Sequence, residues 1–331
     1  MHEHGAAPTF GRIAYPNEGS EMNKTLLITF LTFAAIAVGA AGLLVALGAL
    51  GGSLDDPAVA PCRRPPATVS APRVEFDHRE ALVRFNCNEA QLSGTLYLPL
   101  RSGPHPAVVW VHGSGEQPRL SYGPLVASFV DDGIAFFSYD KRGVAQSEGG
   151  CCPDEHGHFN LVTADAVGAI EAVRSSSAVD GAQVGFVGAS AAGWIAPRAA
   201  EESTHVAFIA LASPGVLPHS LVARYEREAT GGGSTGELEQ QLPSWKPSGY
   251  DPTPFLERLD VPALWLFGGA DRNVPAHQSV ARLRSIKQHK SKDWTIVVYP
   301  GAGHGLFDDP PTDPRAAPTA EAWVRDHVLR R

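Results

Sequence analysis

The chain has 331 residues, enough for one large domain or two modest ones, and 44% of them are hydrophobic against 19% charged. That balance fits a globular body with a real core, alone or with a membrane segment. A net charge of −8, with Lys and Arg nowhere clustered, excludes a nucleic-acid backbone as the main partner.

Residues 1–24 read as an N-terminal tail. Residues 25–54 carry no ionisable side chain, and their length exceeds the roughly 20 residues with which a helix crosses the hydrocarbon core. The expectation is one N-terminal hydrophobic helix, a transmembrane or signal-anchor segment. The competing reading is a cleaved signal peptide, whose apolar region spans about 7–15 residues. Met22 would then be the start, and a cut near Ala40 would release a secreted protein. Lys24 before the span and Asp55 and Asp56 after it favour a cytoplasmic N-terminus and an extracytoplasmic body, while Arg63 and Arg64 pull the other way.

Residues 55–78, rich in Pro, Ala and Asp near their start, read as a linker. The folded body is expected over 79–331. Leu82–Phe85 and Leu92–Leu98 suggest a hairpin. Ala107–Val111, Ile134–Tyr139, Val184–Val187, Val206–Leu211, Ala263–Phe267 and Thr295–Tyr299 read as strands, the most continuous of them apolar as befits burial on both faces. Helical patterns fall between and after them, over Leu120–Asp132, Leu161–Ser175, Ala191–Glu201, Ala276–Ile286 and Thr319–Leu329. This alternation predicts an α/β fold: a mostly parallel sheet with helices on both faces. An insertion at about 214–260, punctuated by GGGSTG and SWKPSGYDPTPF, reads as a weakly ordered, short cap.

Cys62, Cys87, Cys151 and Cys152 all follow the apolar span. An exported domain permits disulfides, and Cys62 with Cys87 would staple the linker to the first strands. Free thiols stand as the other reading. Vicinal Cys151 and Cys152 rarely meet disulfide geometry. The run from Cys151 to His158 holds two Cys and two His, but its spacing matches no common zinc pattern.

The chemistry gathers on three distant residues. Ser190 lies in VGFVGASAAGW, where a strand runs straight into a helix through small residues. Ala192 stands where the usual pattern has Gly. Asp271 follows the strand ALWLF, and His304 lies between two glycines after the last strand. Nucleophile, acid and base in that order match a nucleophile elbow with its partners. A serine hydroxyl needs an adjacent base to take its proton, imidazole titrates near neutrality, and a carboxylate orients the ring. Asp308 and Asp309 are alternative acids, close to His304 in sequence. The turn at Gly113 and Ser114, with the N–H of Ala191, supplies candidate oxyanion donors. His112 reads as structural, and Trp194 as core packing or a wall of the acyl pocket.

From about Arg79 onward the chain resembles the α/β-hydrolase superfamily. HGSGEQPR, SYDKRGVAQSEG, VGFVGASAAGWIAPRAA and DVPALWLFGGADRNVP are similar to a branch of serine esterases and peptidase-like acyl hydrolases. The resemblance implies a triad of Ser190, Asp271 and His304, an oxyanion site around Gly113, Ser114 and Ala191, and loop-shaping roles for Asp140 and Arg142. It also implies a serine hydrolase acting on a small-molecule carboxylic ester or thioester through an acyl-enzyme, without metal or cofactor. An acyltransferase or peptidase would use the same triad. A membrane-tethered binding domain without activity is the reading from another class. Oligomeric state is not legible.

Overall fold

The computed structural model describes residues 59–150 and 158–328. The expected hydrophobic helix at 25–54 lies outside them, as do Cys151, Cys152 and His156. Among the described residues, no helix is long and apolar enough to cross a membrane.

Ten strands form one sheet among the described residues. They are β1 (Ala67–Val69), β2 (Arg73–Val74), β3 (His78–Cys87), β4 (Ala90–Pro99), β5 (His105–Val111), β6 (Ala135–Tyr139), β7 (Val179–Ala189), β8 (Ile209–Ala212), β9 (Ala263–Gly268) and β10 (Trp294–Tyr299). The order is β1-β3-β4-β6-β5-β7-β8-β9-β10, with β2 also pairing with β3. From β6 to β10 every neighbour is parallel; β1 to β4 form an antiparallel edge.

The helices are α1 (Pro124–Asp131), α2 (Phe159–Arg174), α3 (Ala192–Ser203), α4 (His219–Thr230), α5 (Thr235–Gln241), α6 (Thr253–Arg258), α7 (Ala276–Lys290) and α8 (Ala316–Val328). Two cores sandwich the sheet. Val109 and Val111 feed the one covered by α2, α3 and α7; Val108 and Trp110 feed the other, covered by α1 and α8. Such alternation inside an all-apolar run is what burial on both faces demands.

The parallel register brings strand ends together. Val111 pairs with Gly188, Ala189 with Ala212, and Gly268 with Tyr299. The loops that follow β5, β7, β8, β9 and β10 therefore leave from one edge of the sheet, where open α/β sheets place their sites.

Three expectations need correction. The helix expected from Leu120 begins at Pro124, because proline fits the first turn, whereas one deeper removes a backbone hydrogen bond and clashes with the preceding turn at a cost of about 3 kcal/mol. Leu120 is instead held in a loop, its N–H donating to Ser138 Oγ at 2.8 Å and its carbonyl accepting from the Tyr97 hydroxyl at 2.9 Å. The span read as a linker contains β1 and β2, fixed by pairing to β3 rather than by any pattern of their own. The segment read as weakly ordered carries α4, α5, a 3₁₀ turn at Leu242–Ser244 and α6. Leu221, Val222, Tyr225, Leu238 and Leu256 anchor it in the core beneath. Cys62 and Cys87 form a disulfide across a sequence separation of 25, which decides between the two readings of that pair.

Candidate active site

Ser190 sits between β7 and α3 with φ at +57°, a left-handed backbone that costs a non-glycine residue on the order of 1–3 kcal/mol. Three hydrogen bonds hold it there. Its N–H donates to the Ala212 carbonyl, and its carbonyl accepts from the N–H groups of Gly193 and Gly215, each at 3.0 Å. The surrounding chain leaves no room for side chains. A Cβ on Gly188 would stand 2.4 Å from the Val111 carbonyl, and one on Gly193 would stand 2.5 Å from that of Gly215. The same Gly188 position lies 2.7 Å from the Ala192 methyl. Ala192 is therefore accommodated over Gly188, and its departure from the usual glycine leaves the turn intact.

His304 and Asp271 meet directly. His304 Nδ1 donates to Asp271 Oδ2 at 2.8 Å, which leaves Nε2 as the nitrogen for a hydroxyl. The other oxygen, Oδ1, accepts from the N–H groups of Asn273 (2.7 Å) and Val274 (3.0 Å). The carboxylate is fully buried while the imidazole keeps 26% of its side-chain surface. Burial alone would lower the His304 pKa. The bond and charge of Asp271, with Glu226 and Asp308 further off, outweigh that and hold it above the ordinary 6.5. Asp308, the alternative acid, makes no such bond to the ring.

The serine and the histidine are tied to consecutive residues. Ala212 accepts from the Ser190 N–H, and the next residue, Ser213, donates its hydroxyl to the His304 carbonyl at 2.8 Å. Among the described residues the Ser190 hydroxyl itself makes no hydrogen bond.

The candidate oxyanion residues divide. A Cβ on Gly113 would stand 3.4 Å from Ser190 Cβ, so this turn borders the serine. The Gly113 N–H, however, donates to Gln117 Oε1 at 3.1 Å and is not available to a substrate. The N–H groups of Ser114 and Ala191 have no acceptor among the described residues. Ala191 precedes the first turn of α3, where unpaired N–H groups favour an anion.

His112 is 3% exposed and packs edge-on against Tyr139, with ring centres 4.7 Å apart. Burial and then the charge of Lys141 push its pKa down to about 3, so it stays neutral and structural. Trp194 donates its indole N–H to the Leu217 carbonyl at 2.8 Å and packs on Phe159 and His219, joining the insertion to α3. Asp140 accepts from Arg119 and from the Gln146 N–H. Arg142 pairs with buried Asp165 and donates to the Cys87 carbonyl. Asp140 thus ties the chain at Arg119 to that at Gln146, and Arg142 ties α2 to the end of β3. No cluster able to hold a metal occurs among the described residues.

Sequence reasoning missed four contributors. Gln117 occupies the Gly113 N–H. Lys141 grips the carbonyls of the same turn, Ser213 grips the His304 carbonyl, and Tyr225 donates its hydroxyl to the Asp271 carbonyl at 2.8 Å. Gln117 and Lys141 lay in the quoted motifs HGSGEQPR and SYDKRGVAQSEG, but nothing there pointed to their partners.

A family model described as "Serine aminopeptidase, S33" matches residues 102–256, and one for the dienelactone hydrolase family matches residues 250–328. Esterase EstD of Thermotoga maritima is 24% identical over 270 residues, covering 72% of this chain and 63% of that protein. A Methylorubrum extorquens protein described as a carboxymethylenebutenolidase is 33% identical over 75 residues, covering 23% of this chain and 25% of its own length. The chain thus spans between a quarter and two thirds of the curated relatives it matches. Acetyl xylan esterase 1 from Thermoanaerobacterium sp. superposes with a TM-score of 0.57 at 17% identity, covering 79% of this chain and 88% of that one.

Proposed function

The chain belongs to the α/β-hydrolase superfamily, and on that premise we propose that it is a serine hydrolase of carboxylic esters or thioesters. The observation that carries the reading is the buried Asp271–His304 bond tied, through Ala212 and Ser213, to a serine on a left-handed turn.

His304 Nε2 takes the Ser190 hydroxyl proton as the oxygen attacks the acyl carbon. Negative charge on the carbonyl oxygen meets the N–H groups of Ser114 and Ala191. Collapse expels the alcohol or thiol, which carries off the proton held by His304, and leaves the acyl group on Ser190. Water repeats the attack, its proton passing to His304 and then back to the serine oxygen as the acid departs. Asp271 keeps the ring in the tautomer with its proton on Nδ1 and stabilises the imidazolium between transfers. A serine at the elbow, rather than a carboxylate, suits acyl chemistry.

The serine-aminopeptidase match over 102–256 favours a second reading, peptide cleavage through the same triad. Fold and triad do not separate the two. Membrane attachment through residues 25–54 belongs to the proposal on sequence grounds alone.

The test is turnover of chromogenic esters of graded acyl length, set against aminoacyl anilides. Wild-type protein is expected to cleave at least one ester, and Ser190→Ala to lose roughly 10⁴-fold or more of kcat. A Ser190→Ala protein within tenfold of wild type would defeat the proposal; preference for the anilides would favour the peptidase.

A further inference from the structure

The turn after β5 is gripped from two sides. Lys141 follows β6 in the motif YDKRG and is 3% exposed. Its ammonium donates to the Gly113 carbonyl at 3.0 Å and to the Gly115 carbonyl at 2.8 Å. From the other side, Gln117 Oε1 takes the Gly113 N–H and Gln117 Nε2 donates to the Ser114 carbonyl at 3.2 Å. The backbone links the two grips, since the Lys141 N–H donates to the Gln117 carbonyl at 3.0 Å.

The covalent geometry gives this arrangement a direction. In a trans peptide the C=O and N–H of one unit point opposite ways. The Gly113 carbonyl shares its unit with the Ser114 N–H. An ammonium fixing that carbonyl therefore aims the Ser114 N–H the other way, on a turn that borders Ser190. The charge also polarises the peptide, making its N–H a stronger donor.

We propose that Lys141 is a positioning residue for the oxyanion site, holding the Gly113–Ser114 peptide so that the Ser114 N–H meets charge developing on the substrate carbonyl. The proposal rests on the serine-hydrolase reading above. Its cost is visible: burial pushes the Lys141 pKa down to about 8. A neutral side chain would avoid that penalty but would lack the ammonium's three donors and its charge. Groups kept at such a cost beside a site are functional candidates.

The test compares wild type with Lys141→Met in the full chain, on whichever chromogenic ester wild type cleaves best. It adds inhibition by phenylboronic acid, which forms a tetrahedral adduct on a triad serine. Loss of one oxyanion donor costs about 10²–10³ in kcat. Lys141→Met is expected to lose at least ~30-fold in kcat with KM within about threefold, and boronate affinity should weaken in parallel. A kcat within about threefold of wild type overturns the proposal. So does a rise in KM with lowered melting temperature and unchanged boronate affinity, the signature of a merely structural lysine. If Lys141→Met does not fold, Lys141→Gln, which keeps a donor without the charge, is judged by the same criteria. An inert wild type would count instead against the hydrolase reading.

Discussion

Two of the histidine–carboxylate pairs among the described residues stand at opposite ends of the parallel strands. At the carboxyl ends, His304 Nδ1 meets Asp271 at 2.8 Å, and the His304 carbonyl is held by Ser213, next in the chain to the Ala212 that accepts the Ser190 N–H. At the amino ends, His205 Nδ1 meets Glu171 Oε1, also at 2.8 Å, with Ser203 nearby. The second cluster borders a groove of about 560 Å³ lined by Arg174, Thr204, His205, Asp260 and Asp293, among others. By residue inventory the two ends look alike. They differ in how the backbone presents the serine. Ser203 closes α3 and donates its hydroxyl to Glu171 Oε1 at 2.8 Å, so its proton goes to the carboxylate rather than to an imidazole. Ser190 stands before the first turn of the same helix on a left-handed backbone, with unpaired N–H groups beside it. His205 is 48% exposed, against 26% for His304, and Glu171 keeps 9% where the Asp271 carboxylate keeps none. Placement and desolvation, more than the presence of three residue types, separate a candidate triad from a solvated cluster.

The largest test of this contrast removes each carboxylate's charge in turn. Asp271→Asn should cost roughly 10³–10⁴ in kcat by upsetting the His304 tautomer, whereas Glu171→Gln should leave kcat within about twofold. A large loss from the second would erase the distinction. Next comes the pH profile. The base must be neutral to accept the serine proton, and the His304 pKa is raised. The acid limb of kcat/KM should accordingly have its midpoint above 6.5, activity falling as pH drops through it. A midpoint below 6.5 would contradict the pairing with Asp271. The smallest effect on chemistry concerns the antiparallel edge. Reducing the Cys62–Cys87 disulfide frees a loop of sequence separation 25. In the chain-entropy view this lowers stability by about 3.5 kcal/mol, while kcat at 25 °C should hold within about twofold. Denaturant unfolding with and without reductant measures the first, and the ester assay the second.

The sequence made the parallel half of the fold legible because strands buried on both faces leave near-continuous apolar runs, as in Ala107–Val111 and Ala263–Phe267. It made the triad residues candidates because an elbow needs small neighbours and the partners follow strands. What it hid depended on tertiary contact. β1 and β2 exist by pairing to β3, too short to show a period. The helices α4 to α6 were masked by Gly and Pro at their ends, though their apolar positions reach the core. Choosing Ser114 over Gly113 required the Gln117 side chain, whose reach to a backbone N–H leaves no trace in spacing. The grip of Lys141 on the same turn is invisible for the same reason.

Covalent labelling with a fluorophosphonate, followed by peptide mapping of the modified serine, bears most directly on the central claim. One adduct per chain on Ser190, absent after Asp271→Asn over the same exposure and untouched by Glu171→Gln, is the predicted result. An adduct on Ser203, or none on folded protein, would contradict it.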